Sequence, residues 1–345
     1  MIEDGSPFAS SLEWLLEAKD AGVRYLALRD LVKMSTDDPE LKLARREAHE
    51  NGSIAKILKN MNSEGYWVEP GPGYYKKYRS TVWAVILLAQ LGASVNEDVR
   101  VKQACNYLLE HTFAQGGYFT LSGAPSGTID CLQGNLCWAL TELGMEDPRL
   151  DDAFEWMARS QTGEGIAPKT DKNTTVRYYA HKCGPGFQCG ANCNLPCAWG
   201  ATKVMLAFSR LPSSQYTDLI KGAIQRGVEF IFSVDPVSAS WPYKNTISRN
   251  WRNFGFPVFY NTDLLQVAEA MTALGYGNDP RLASVIQLIR DKQEAGGQWA
   301  LEYDYSGKTW GNYGVKGKSN KWVTLRALRV LHAIREQPTV CDDQV

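Results

Sequence analysis

The stretch LGYGNDPRLASVIQLIRDKQEAGGQW, residues 274–299, sets the fold class. It opens on the Leu-Gly end of an apolar segment, where Gly275 suits the left-handed residue that follows a helix. A short polar turn leads to Asp279-Pro280, an N-cap followed by proline at the first helical position. An amphipathic segment comes next, and Gly297-Gln298-Trp299 closes the unit. The same order recurs in LGASVNEDVRVKQACNYLLEH (91–111) and LGMEDPRLDDAFEWMARSQ (143–161). Related glycine turns stand at Gly65-Tyr66-Trp67, Gly117-Tyr118-Phe119 and Gly165-Ile166. A recurring unit of this kind is one supersecondary element that buries its apolar face only by stacking on its neighbours.

Outward from that unit, six segments read as helices apolar nearly all round: Val23–Val32, Ser80–Leu91, Asp130–Leu143, Pro196–Leu211, Tyr260–Leu274 and Asn320–Ile334. Such helices are buried on both sides, whereas their amphipathic partners keep one wet face. The partners begin near 53, 98, 147, 217 and 279. The expected fold is all-α, an (α/α)6 toroid of six hairpins whose inner-helix N-termini meet at one mouth. It forms one domain over 1–337, with insertions 161–195 and 235–259 as a lid and a tail at 338–345. The charged link 35–51 is expected to be partly helical.

The chain has 345 residues, 44% of them apolar, 22% charged, and a formal net charge of −1. That balance gives no overall basic excess to release counterions, so a nucleic-acid partner is not expected. No run of eighteen apolar residues exists to span a membrane. Eight cysteines without a signal-like N-terminus point to a reducing cytoplasm, where clustered cysteines bind metal or react more often than they pair.

Four of those cysteines, Cys183, Cys189, Cys193 and Cys197, lie in one glycine-rich stretch behind His181. Thiolates and imidazole suit zinc. A thiol at a helix N-terminus suits a reactive thiolate, and small buried cysteines also suit packing. Aligning the inner helices puts Arg79, Asp130-Cys131, Pro196-Cys197, Thr262-Asp263 and Lys321-Trp322 at equivalent first-turn positions. Cys131 and Cys197 facing each other, with His181, Cys183, Cys189 and Cys193 folding over them, would make a zinc site at the mouth. Cys105 and Cys137 lie mid-helix among apolar residues and read as core. The insertion 235–259 supplies Trp251, Phe254, Phe256 and Phe259, which with Tyr260 and Trp322 would line a cavity for an apolar or aromatic small molecule. Asp263 reads as an acid, a base or a helix cap. Arg79, Lys321 and other basic residues from separate repeats would give a positive rim suited to an anionic substrate.

QEAGGQW (293–299) fits the Q-x-x-x-G-x-W signature of squalene-cyclase repeats, and QTGEGIA (161–167) is a degraded copy. On these residues the chain resembles a single-domain relative of the terpenoid-cyclase and protein-prenyltransferase toroid superfamily. The resemblance implies an α/α toroid with a deep apolar cavity and catalytic groups at the inner-helix N-termini. Asp130-Cys131 is similar to the Asp-Cys pair of oxidosqualene cyclases, in which the aspartate donates the proton, and in part to the Asp-x-Cys zinc pair of prenyltransferases. The D-x-D-D donor of squalene-hopene cyclases has no counterpart, and neither has the prenyltransferase zinc histidine. Three functions follow: a toroid enzyme with cysteine-bound zinc, a metal-free cyclase or isomerase with Asp130 as the acid, and a non-catalytic toroid that binds a hydrophobic ligand or a protein.

Overall fold

The computed structural model describes residues 7–167, 170–171, 173, 183–239 and 248–336. Within them the chain is all-α, in thirteen α-helices. These are α1 (Pro7–Leu15), α2 (Ala21–Asp30), α3 (Pro39–Asn51), α4 (Ser53–Lys59), α5 (Thr81–Gln90), α6 (Val99–Thr112), α7 (Asp130–Glu142), α8 (Pro148–Thr162), α9 (Ala198–Phe208), α10 (Asp218–Ile231), α11 (Leu264–Ala273), α12 (Ala283–Asp291) and α13 (Lys321–Glu336). Two antiparallel pairs of two-residue strands complete it: β1 (Phe113–Ala114) with β2 (Tyr118–Phe119), and β3 (Gln188–Cys189) with β4 (Leu195–Pro196).

Periodicity explains which helices are enclosed. Every residue from Thr81 to Ala89 of α5 is buried, and α9 is buried at ten positions from Ala198 to Phe208. In α10 only Ile220, Ala223, Ile224, Gly227, Val228 and Ile231 are buried, the i, i+3, i+4 stripe of a helix with one wet face. The enclosed helices pack in sequence, α5 on α7, α7 on α9, α9 on α11 and α11 on α13, and α13 packs in turn on α2. Just after α5, Gly92 (φ +80°) lies against Tyr25 and Leu26 of α2, where a Cβ would fall 2.8 Å from the Leu26 side chain. No helix among the described residues is long and apolar enough to cross a membrane.

The repeats reappear as hydrogen bonds. Trp299 donates its indole N–H to Ile289 O (2.7 Å), and Trp67 donates to Ile57 O (2.8 Å), ten residues back in each case. Their backbone N–H groups donate to threonines at the start of an enclosed helix, Thr324 Oγ1 (3.0 Å) and Thr81 Oγ1 (3.2 Å). Asp98, Asp147 and Asp279 each accept the N–H of the arginine two residues on and pair with its guanidinium.

Several boundaries differ from the sequence reading. Residues 39–51 form the full helix α3, capped by Asp38. The helix expected from Pro196 starts at Ala198, because Pro196 pairs with Gln188 and the Cys197 N–H donates to Phe187 O (2.9 Å). The helix expected from Tyr260 starts at Leu264, because Asp263 is its N-cap and accepts the Gln266 N–H (2.8 Å). Of the insertion expected from 161, Gln161 and Thr162 still belong to α8. His181 and the tail 338–345 lie outside the described residues.

Candidate active site at the helix starts

Asp130 is the first residue of α7 and is 3% exposed. Its Oδ1 accepts a hydrogen bond from Gln161 Nε2 (2.9 Å), whereas Oδ2 is buried with no partner among the described residues. Gln161 is fixed from its other side, because its Oε1 accepts the Phe187 N–H (2.7 Å). Burial drives the Asp130 carboxyl well above its ordinary value, the neighbouring Cys189 adds to the rise, and the Gln161 bond opposes it.

Three of the expected sulfur positions gather around it. Cys189 stands beside both Asp130 and Cys131, and it shares a hydrogen bond with Cys197. Burial, then Cys189 and Asp130, push the Cys131 thiol up to about 12, against the pull of Lys203. The Cys189 hydrogen bond and burial raise Cys197 well above the ordinary thiol value. Cys131 is the second residue of α7 and Cys197 the residue before α9, so they meet from different positions in the first turn. Cys183 is elsewhere, packed with Ala114, Tyr118, Trp156 and Ile166, and Cys193 is exposed. Cys105 and Cys137 are core residues, as expected. Among the described residues, no three His, Cys, Asp or Glu side chains are grouped so as to hold a metal ion.

An aromatic cluster stands beside Cys131. Tyr260 faces Trp199 (ring centroids 6.0 Å), Trp83 (6.2 Å) and Tyr78 (6.2 Å). Phe259 stacks on Tyr78 at 4.9 Å, and Tyr305 meets Tyr78 edge-on at 4.3 Å. The Lys77 ammonium lies over three rings of this cluster, 4.4 Å from the centroid of Tyr260, 5.2 Å from Tyr74 and 5.9 Å from Trp83. The cluster therefore already accommodates a cation. Tyr74 also feels Cys131, which ties the box to the sulfur group.

The other expected residues are placed as follows. Asp263 is fully buried and completely engaged: Arg326 grips both its oxygens (2.9 Å each), and it also accepts from Gln266 N, Gly255 N and Tyr303 OH. Arg326 also bonds both oxygens of Glu269 (2.9 and 2.8 Å). Arg79 is exposed and donates to Gly307 O (3.1 Å). Lys321 pairs with Glu17 (2.8 Å) and Asp20 (2.9 Å). Trp322 stacks on Phe256 at 4.5 Å. Trp251 donates to Pro236 O, and Phe254 lies under the Lys292 ammonium.

A cavity of about 600 Å³ lies between the C-terminal halves of the enclosed helices and is lined from α2, α5, α7, α9, α11 and α13. This is the end opposite the expected mouth. Of the aromatic residues assigned to cavity walls, Phe256 lines it. Lys203, fully buried in α9, donates to Gln266 Oε1 (2.5 Å), and Gln266 belongs to the cavity wall. Burial lowers the Lys203 amine to about 7 despite the opposing pull of Asp263. The sequence reading does not single out Lys203, Glu269 or Arg326. A signal exists for them, a lone charge within an apolar helix, which survives burial only when paired. Gln161 enters that reading only as part of a degraded repeat.

No family model matches the chain, and no curated protein matches it. Among solved structures it is similar to the type II terpene cyclase MstE from Scytonema, at 13% identity over 86% of this chain and 99% of that one, with a TM-score of 0.31. A variant of that cyclase in complex with geranylgeranyl dihydroxybenzoate (substrate) gives 13% identity, 88% and 100% coverage and the same TM-score. A protein from Actinoplanes gives 10% identity, 85% and 98% coverage, and a TM-score of 0.28. Similarity of this order bears on neither the chemistry nor the residues of the site.

Proposed function

We propose that the chain is an α/α toroid enzyme, one domain over 1–337, that uses Asp130 as a buried general acid on a mainly apolar or aromatic small molecule. The observation that carries this reading is the buried Asp130 carboxyl, raised well above its ordinary value, with Oδ2 left without a partner among the described residues. An acid has to hold its proton at working pH to deliver it, and desolvation is the ordinary means. Gln161 fixes the rotamer by occupying the other oxygen. The aromatic box around Tyr260 supplies π faces to a positive charge developing on the substrate, with Lys77 displaced. The reaction class is proton-initiated cyclisation or isomerisation. The successive packing of α5, α7, α9, α11, α13 and α2 supports the toroid. A reducing, cytoplasmic setting belongs to the proposal, because the thiols beside the acid have to stay reduced.

A second reading is zinc held by Cys131, Cys189 and Cys197 with His181; the nearness of Cys189 to the other two thiols supports it, and the three would have to draw closer to hold the ion. Bound zinc would supply Lewis-acid chemistry. Incubation with acyclic polyenes of sesqui- and diterpenoid length, with product analysis, tests the first reading. Asp130→Asn should abolish product while Cys131→Ala retains it. Equal turnover by Asp130→Asn sinks the acid. Stoichiometric zinc lost in Cys131→Ala together with activity establishes the second reading instead.

A further inference from the structure

We infer that the cavity between the C-terminal halves of the enclosed helices is a second binding site, for a small organic molecule with an apolar body and one oxyanion head group. The site is separate from Asp130, which starts α7, whereas the cavity draws on Trp138, Thr141 and Glu142 toward that helix's other end. Its volume of about 600 Å³ is within the range of ligand pockets.

The class of ligand follows from the donors and acceptors on the wall. The carboxylates there are already taken. Asp30 is shared by Arg29 (2.5 Å) and Arg329, and those guanidiniums outweigh burial to hold it down at about 2. Glu142 is shared by Arg29 (2.9 Å) and Arg210 (3.1 Å), and Glu269 has both oxygens on Arg326. The donors are in excess. Trp138 Nε1 and Arg329 Nε are buried N–H groups with no partner among the described residues. Arg210, more than a third exposed, adds a further guanidinium to the wall beside Glu142. Buried donors without acceptors are costly, and a ligand that brings acceptors relieves them. Guanidinium and indole N–H groups together select an oxyanion over a neutral acceptor. Leu26, Leu206, Phe256, Val258 and Val330 supply apolar wall for the rest of the molecule.

The experiment is calorimetric titration of the full chain with octanoate, octyl phosphate and, as the neutral control, octanol. Binding of either anion, weakened about tenfold or more in both Trp138→Phe and Arg210→Gln, is the expected result, since a hydrogen bond to a charged group contributes roughly 1.5–3 kcal/mol. Which anion binds more tightly distinguishes a carboxylate from a phosphate head. Absence of binding by both anions, octanol binding as tightly, or affinities unchanged in the two variants would each overturn the inference. Asp130→Asn should leave this binding intact, so failure of the acid reading and failure of this one are read separately.

Discussion

Gly134 of α7 lies directly on the backbone of Lys203 in α9: a Cβ on Gly134 would fall 2.3 Å from the Lys203 carbonyl carbon. The obstacle is main chain, which cannot swing aside. Gly134→Ala should therefore force α7 and α9 apart and destabilise the fold by about 1–3 kcal/mol or more, as overpacking does. A denaturant melt showing wild-type stability in this variant would contradict the packing described.

Asp130 carries a pH signature in stability. Its folded carboxyl is raised above the ordinary 3.8, so the folded state holds a proton that the unfolded state releases. Stability from this group is complete below that value and is lost as pH rises through the folded one. Asp130→Asn, which mimics the neutral acid, should match the wild type at and below pH 3.8 and become more stable than it as pH rises above that value. Parallel pH–stability curves would show instead that the carboxylate is charged in the fold.

Lys203 works in the opposite charge sense. Its amine falls from 10.5 to about 7 in the fold, so the unfolded chain binds more protons between those values. The cost of burying it is full below pH 7 and disappears by about pH 10.5. Lys203→Met should stabilise the protein at pH 6–7 by on the order of 2–4 kcal/mol, at about 1.4 kcal/mol for each tenfold loss of proton affinity, less the lost Gln266 bond. The gain should shrink steadily as pH rises; an advantage that stays constant from pH 7 to 10 would refute it.

Removing Lys77 should open the aromatic box. In Lys77→Ala the faces of Tyr74, Trp83 and Tyr260 lose their cation, and tetramethylammonium should bind there more tightly than to the wild type. Indole fluorescence from Trp83 and Trp199 reads the titration. Identical titration curves for variant and wild type would mean that the lysine does not occupy the box in solution.

The two turn tryptophans should behave alike. Trp67→Phe and Trp299→Phe each remove an indole N–H and leave Ile57 O or Ile289 O short of a donor. Each should cost about 1–3 kcal/mol in a thermal or urea melt.

The helical class and the succession of enclosed and half-wet helices are legible in the sequence because burial imposes the 3.6 period along the whole chain. The first turns of α9 and α11 are not, and the pattern starts them two and four residues early. Pro196 and Tyr260 are apolar enough to extend it, but a backbone bond from Cys197 to Phe187 and the cap at Asp263 end it. The approach of Cys131, Cys189 and Cys197 follows from their places at helix starts and in the adjoining loop. The Arg326–Asp263–Glu269 and Lys203–Gln266 pairings do not, because they join residues about 60 positions apart whose partners no local pattern names. The cavity at the far end escapes the sequence for the same reason, since its wall is assembled from residues of six distant helices and the segments between them.

The last helix is bound to the first segments. α13 packs on α1 and α2, Arg329 pairs with Asp30, Lys321 with Glu17 and Asp20, and Ser11 Oγ donates to Gly297 O (2.6 Å). On the ribosome the chain emerges from its N-terminus, so α1 and α2 leave the exit tunnel long before 321–336 is translated. The part of their surface that α13 covers waits unpaired until then, although α2 meets α3 at once, at a stage when transiently exposed surface invites aggregation. Emergence of 321–336 from the exit tunnel, more than any earlier point in translation, is therefore the moment at which this face becomes protected, and holdase chaperones have most to do for it before then.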